Sequence, residues 1–313
     1  MATVAISGGT GLIGKALTGL LRQRGHRVVV LTRKPPRGIT AFGSSDADLT
    51  YALWNVRKGE FPSAILSETD YIVHLAGANV AKGRWTKRRK QEIVRSRTVS
   101  GALIVEALRA GPCRVKGVIS ASATGWYGPD TGGKPFKESD PPADDFLGGT
   151  CTAWEDAISP VTTLGKRLVI LRTGIVLSRE GGALPAFLSS LRLGVAAILG
   201  DGKQVISWIH IADLCRLYVQ AIEDPGMTGV YNAVAPAPVS NKTLVLALAE
   251  RLRGRFYVPV HVPSWILRLG MGEMSVEVLK SCTADVSKAK ATGFQFAYPT
   301  VGAAVADLLK DAR

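Results

Sequence analysis

The chain has 313 residues, 46% apolar and 20% charged, enough for one large or two modest domains with a real core. No run of about 18 apolar residues occurs, which argues against a spanning helix. Four scattered histidines and four widely spaced cysteines make no metal-ligand set. The net charge of +14 attracts anions without choosing among nucleotides, acidic substrates, nucleic acid and membrane surfaces.

The chain opens almost at once on a strand, TVAIS, so no cleavable signal or transit peptide is expected. GGTGLIG follows, and LIGKALTGLLRQRG reads as a helix, with Leu12, Ile13, Ala16, Leu17, Leu20 and Leu21 at helical spacing. Gly25 stops it, and RVVVLT is the next strand. The glycines Gly8, Gly11 and Gly14 sit where a diphosphate approaches the backbone of a β-α-β unit. There the turn needs a positive φ, and the helix N-terminus faces the anion. Gly8, Gly11, Leu12, Ile13 and Gly14 are therefore assigned to a dinucleotide. A glycine-rich connection that binds nothing has the same spacing.

The second strand ends in LTRKPPRG, without the acid that holds a ribose 2′-hydroxyl in NAD binders. Thr32, Arg33, Lys34 and Arg37 instead offer donors and positive charge, which selects NADP(H) over NAD. Lys34 and Arg37 also fit a solvated loop. Residues 70–77, DYIVHLAG, form another buried strand ending in small residues, so Leu75, Ala76 and Gly77 line the cofactor. His74 is read as facing the neighbouring layer rather than serving as an acid or base.

GGTGLIG, DYIVHLAG and SASATGWYG resemble the extended short-chain dehydrogenase/reductases, the NAD-dependent epimerase/dehydratase group. KGRWTKRRKQEIVRSR, AWEDA, LRTGIVLSREGGAL, GDGKQVISWIHIADL and GFQFAYP resemble one atypical subgroup, epimerase-like proteins that end in a small domain of unknown function. The resemblance spans nearly the whole chain. It implies that Arg97, in the pattern formed by Glu92, Ser96 and Arg97, approaches the cofactor phosphates or ribose with Glu92 nearby. It also implies that Ile175 or Val176 touches the nicotinamide side.

Ordinary members carry a tyrosine acid or base with a lysine one helical turn on, helped by a Ser or Thr. Registered on Glu155, the lysine's place is Cys151 and the tyrosine's place is Leu147. No Tyr-x-x-x-Lys exists anywhere in the chain. Tyr127, with Ser122 as helper, is the candidate proton donor. The competing reading makes Trp126 and Tyr127 pocket lining. Cys151 lacks a neighbouring base in sequence and is a poor nucleophile candidate.

Residues 82–97 hold eight basic residues and one acid, without a nucleic-acid motif beside them, so no nucleic-acid partner is expected. GGKPFKESDPPADDF reads as an exposed loop over the site. GGALPAFLSSLRLG reads as a helix. GDGKQVISWIHIADL reads as a loop and strand entering a helix with Asp213 in its first turn. Arg172, Trp208 and His210 are open to either a pocket or a structural role. Ser240 suits an N-cap.

The expected fold is α/β, a Rossmann-type doubly wound parallel sheet with a smaller C-terminal lobe. Residues 1–175 form the NADP-binding domain, with a return segment near 205–235, and 176–313 form the substrate lobe. The expected function is an NADP(H)-dependent oxidoreductase or epimerase acting on a small carbonyl or sugar-like molecule. The alternative is a non-catalytic NADPH-binding sensor or interaction module. Neither a metal nor a membrane partner is expected. The expected location is the cytoplasm, with the mitochondrial matrix also open to it.

Overall fold

The computed structural model describes residues 1–35, 42–46, 48–130 and 133–310. Strands β1 (Thr3–Ser7), β2 (Arg27–Thr32), β3 (Phe42–Asp46), β4 (Leu49–Leu53), β5 (Tyr71–His74), β6 (Gly117–Ala123) and β7 (Arg167–Thr173) share one sheet with the strand Gly229–Ala233. The order across it is Gly229–Ala233, β7, β6, β5, β1, β2, β4, β3. Neighbours run parallel except β3 and β4. The chain builds outward from β1 in one direction and from β5 in the other. The crevice at the carboxyl ends of β1 and β5 is thus the switch point at which such sheets take ligands.

Alternation along each strand explains the two helical layers. Val4 and Ile6 of β1 pack beneath α1 (Leu12–Gln23) and α5 (Ile211–Glu223), and Ala5 points to the opposite cluster. That second cluster holds Leu103, Ile104 and Leu108 of α2 (Lys87–Arg109) and Ile158 of α3 (Phe146–Ile158). Both faces being covered, the strands read as continuous apolar runs. α2 starts where the Thr86 hydroxyl accepts the Arg89 N–H, and α3 where the Asp145 carboxylate accepts that of Gly148.

β8 (Ile175–Ser178) leaves the sheet and pairs with Trp208–His210. A separate core then joins α4 (Leu184–Leu191), α6 (Asn241–Arg253) and the helix Val301–Leu308 through Leu184, Leu191, Leu244, Leu248 and Val305. It is covered by a two-stranded parallel ribbon, Val195–Leu199 with Val258–Val262, through Ala196 and Ile198. The chain returns through α5 and Gly229–Ala233 to the first core. A second return was not visible in the sequence pattern: Phe294, near the C-terminus, packs in that same core. The Asp213 carboxylate fixes it by accepting the N–H groups of Ala297 and Tyr298 at 2.9 and 2.8 Å.

The loop after β6 is not a free cover. Phe136 stacks on Tyr127 with ring centroids 5.0 Å apart, and the Glu138 carboxylate accepts the Asn232 N–H at 2.8 Å. Its prolines and acids suggested solvent, but alternate residues face inward.

Candidate functional site

The glycine turn between β1 and α1 is shaped for close backbone approach. Gly8 has φ +74°, and a Cβ there would lie 2.8 Å from the Leu75 carbonyl. A Cβ on Gly14 would lie 2.4 Å from the Gly8 oxygen. Gly11 is the N-cap of α1, and no side chain caps the helix or places an acid in its first turn. The N–H groups of Leu12 and Ile13 thus face the crevice at the positive end of the helix. The Leu12 side chain reaches the Gly181–Gly182 turn, and a Cβ on Gly182 would lie 2.8 Å from the Val176 oxygen. Leu12 and Val176 accordingly share one wall.

At the end of β2, Arg33 and Lys34 are exposed, and Arg37 lies outside the described residues. Thr32 is tied into the turn that follows β2. Its hydroxyl donates to the Lys34 carbonyl at 2.9 Å and accepts the Lys34 N–H at 3.3 Å. Buried and doubly engaged, it shapes the turn that presents Arg33.

Leu75, Ala76 and Gly77 follow β5 directly across from the glycine turn. A Cβ on Gly77 would lie 3.0 Å from the Arg97 guanidinium carbon, so the small residue makes room for that group. Arg97 is buried on α2. Its Nη1 donates to the carbonyls of Ala78 at 3.1 Å and Ile93 at 2.9 Å, and its guanidinium lies over the Trp154 ring at 4.7 Å. No carboxylate pairs with it among the described residues. Burial pulls its pKa down to about 10, so it stays charged at neutral pH. A buried cation without a counter-ion is suited to an anion. Ser96 holds this corner by accepting the Ala78 N–H at 2.9 Å. Glu92 is exposed and pairs with Arg89 at 2.7 Å.

His74 is fully buried between layers. Its Nδ1 meets the Ser7 hydroxyl at 2.8 Å and its Nε2 the Ser100 hydroxyl at 3.3 Å. Burial, helped by the Arg97 charge, holds its pKa near about 4. It is a neutral tie between β5, β1 and α2.

The place of the missing pair is apolar. Leu147 lies against Gly125, where a Cβ would come within 3.1 Å of it. Cys151 is buried, its thiol 3.7 Å from the Ala123 carbonyl, and burial together with Glu155 pushes its pKa up to about 12. Such a thiol is inert.

Ser122 and Tyr127, the candidate catalytic groups, are both buried and hydrogen-bonded within the protein. Ser122 is buried and donates to Glu155 Oε1 at 2.6 Å. Arg172 grips the same carboxylate with two parallel bonds of 2.9 Å. Tyr127 has no exposed surface. Its hydroxyl donates to Asn232 Oδ1 at 2.7 Å and accepts from Arg172 Nη1 at 3.1 Å. Burial pushes its pKa up to about 12 despite the Arg172 charge. Trp126 is half-buried, beneath Arg172. Trp208 and His210 are also buried. The Trp208 indole donates to the Ala237 carbonyl, and His210 Nδ1 caps α5 by accepting the Ala212 N–H at 3.2 Å.

The sequence pattern gave no sign of Lys280. Its buried Nζ bonds the Tyr127 carbonyl and Asp145 Oδ2 at 3.2 Å each, and Glu277 at 2.9 Å. Burial alone would lower its pKa, but the two carboxylates outweigh that and raise it. The residue clamps the end of the C-terminal lobe onto the start of α3. The clamp joins residues more than a hundred positions apart, so local spacing carries no trace of it.

Comparison with known proteins agrees with this architecture. A profile of the NAD dependent epimerase/dehydratase family matches residues 4–233, and a domain of unknown function, DUF1731, matches residues 262–308. The chain is 36% identical to the epimerase family protein MT2273 of Mycobacterium tuberculosis, over 97% of this chain and 96% of that one. The crystal structure of the human epimerase family protein SDR39U1 with NADPH superposes with a TM-score of 0.85 at 30% identity, covering 99% of each chain. A nucleoside-diphosphate sugar epimerase of Corynebacterium glutamicum superposes at 0.77 and 33% identity, covering 98% of this chain and 58% of that one. Fold, glycine turn and full-length similarity together place this chain in the NAD-dependent epimerase/dehydratase family, with the DUF1731 domain at its C-terminal end.

Proposed function

We propose that the chain binds NADP(H) and serves as an oxidoreductase or epimerase on a small carbonyl or sugar-like molecule. The observation that carries the cofactor reading is Arg97, a buried guanidinium without a carboxylate partner among the described residues, against Gly77 in the segment Leu75–Gly77 that faces the glycine turn. The diphosphate would lie against Gly8, Gly11 and the N–H groups of Leu12 and Ile13, with Leu75, Ala76 and Gly77 opposite. Arg33 would meet the 2′-phosphate, and the NADPH in the human relative's structure supports that choice. When bound, this cofactor supplies or accepts hydride. Leu12 and Val176 would shape the wall at that end.

The second reading, a non-catalytic NADPH-binding protein, is favoured by Leu147 and Cys151 in the places of the acid and its lysine. The burial of Tyr127 favours it too. A panel of ketones and aldehydes, with NADPH consumption followed by absorbance, separates the two readings. Turnover supports the enzyme, and saturable binding without turnover supports the sensor.

Arg33→Glu tests the cofactor assignment. NADPH affinity is expected to fall by at least about tenfold while NADH affinity changes little. Equal losses for both would overturn the assignment of Arg33.

A further inference from the structure

Strongly exposed apolar side chains concentrate in one part of the C-terminal lobe. Leu193, Phe256, Val258, Trp265, Leu269 and Val276 are 57% to 86% exposed. They lie on successive segments of the chain around the strand Val258–Val262. The Val258 N–H donates to the Gly194 carbonyl at 2.9 Å, which sets Leu193 beside Phe256 and Val258. Pro263 then leads directly from the strand Val258–Val262 into α7 (Ser264–Met271). There Leu267 is buried, while Trp265 and Leu269, one turn apart, face outward. Val276 follows on α8 (Ser275–Leu279).

This surface is also basic. Arg192, Arg253, Arg255 and Arg268 are exposed along it. Arg84 donates to the carbonyls of Leu269 and Gly270, and Lys90 pairs with Glu273. These contacts dock the cationic stretch 82–90, with exposed Lys82, Lys87 and Arg88, against the end of α7.

We propose that this face attaches the protein peripherally to an anionic lipid bilayer. Phe256, Trp265 and Leu269 would enter the headgroup boundary, and the arginines would meet lipid phosphates. The inference goes beyond the cofactor reading and does not rest on it. It also departs from the sequence expectation of no membrane partner. The contact is peripheral, because among the described residues no helix is long and apolar enough to cross a membrane.

Two other occupants fit less well. A two-fold contact between copies would bring this basic face onto a second basic face. Strand addition is blocked as well. Val258 turns its N–H to the neighbouring strand, so alternation aims Pro259 at the free edge, where it has no N–H to offer. Nucleic acid would satisfy the arginines and leave the aliphatic side chains uncovered.

The test is co-sedimentation of the full chain with vesicles of phosphatidylcholine and with equimolar phosphatidylcholine and phosphatidylglycerol. Tryptophan emission is recorded in parallel. Trp265 is the exposed tryptophan, since Trp54, Trp85, Trp154 and Trp208 are buried and Trp126 is half-buried. Sedimentation is expected with the anionic vesicles only, weakening with added salt, together with a blue shift that Trp265→Phe removes. The double variant Trp265→Ser and Leu269→Ser is expected to partition at least about tenfold more weakly. No sedimentation at low salt would overturn the proposal, as would partitioning that the double variant leaves unchanged. A dimer in light scattering that the double variant dissolves would also overturn it, as would preference for a single-stranded oligonucleotide over the anionic vesicles.

Discussion

Glu155 receives two bonds from Arg172 and one from Ser122, and Arg172 also reaches the Tyr127 hydroxyl. The network is buried, so removing one charge leaves the other without a partner. Glu155→Gln is expected to cost about 3–5 kcal/mol of stability, measured by urea unfolding. Tyr127→Phe removes one member of the same network. It is expected to cost about 1–3 kcal/mol and to leave NADPH affinity unchanged. Were Tyr127 a proton donor, the variant would lose any turnover as well as stability. His74 gives a pH signature. Its folded pKa of about 4 lies below the ordinary 6.5, so unfolded chains take up a proton that folded ones refuse. Its contribution is complete above pH 6.5 and is lost as pH falls towards 4, by up to about 1.4 kcal/mol per pH unit. His74→Gln is expected to flatten that slope relative to the parent chain. An identical slope in both would exclude His74 as its source.

At the scale of elements, the turn between β1 and α1 is the most constrained piece of the chain. Gly8 combines φ +74° with the Leu75 backbone 2.8 Å from any added Cβ. Gly8→Ala is expected to destabilise by about 1–3 kcal/mol and to weaken NADPH binding, read by unfolding and by titration. Undiminished binding would mean that the turn does not carry the diphosphate. This element was legible because its signals are local: strand residues, glycines at fixed offsets, and apolar side chains at helical spacing. Arg97 was singled out only through family resemblance, since a basic residue within a basic stretch carries no spacing signal. The fates of Ser122, Tyr127 and Thr32 were not legible. Each depends on a partner supplied by another element or by backbone geometry: Glu155 on α3, Asn232 on the returning strand, and the Lys34 carbonyl. The inward turn of Phe136 and Glu138 was hidden for the same reason, because prolines and acids dominate the local composition.

At the scale of the molecule, two cores are sewn together by returns of the chain and by Lys280. Lys280→Met would leave Glu277 and Asp145 facing each other near the start of α3. The loosening should appear as faster amide exchange in residues 264–284 than in the central sheet. Uniform exchange in both would show that the clamp is dispensable. Between β1 and β5 lies the crevice that would take the cofactor. Its shape, its helix end and the buried Arg97, without a carboxylate partner among the described residues, fit a diphosphate, and Arg33 at the end of β2 fits the extra charge of NADPH. The direct measurement is a fluorescence titration of the purified protein with NADPH and with NADH. Saturable NADPH binding, at least about tenfold tighter than NADH, is the expected result; equal affinity for the two, or no binding of either, would contradict it.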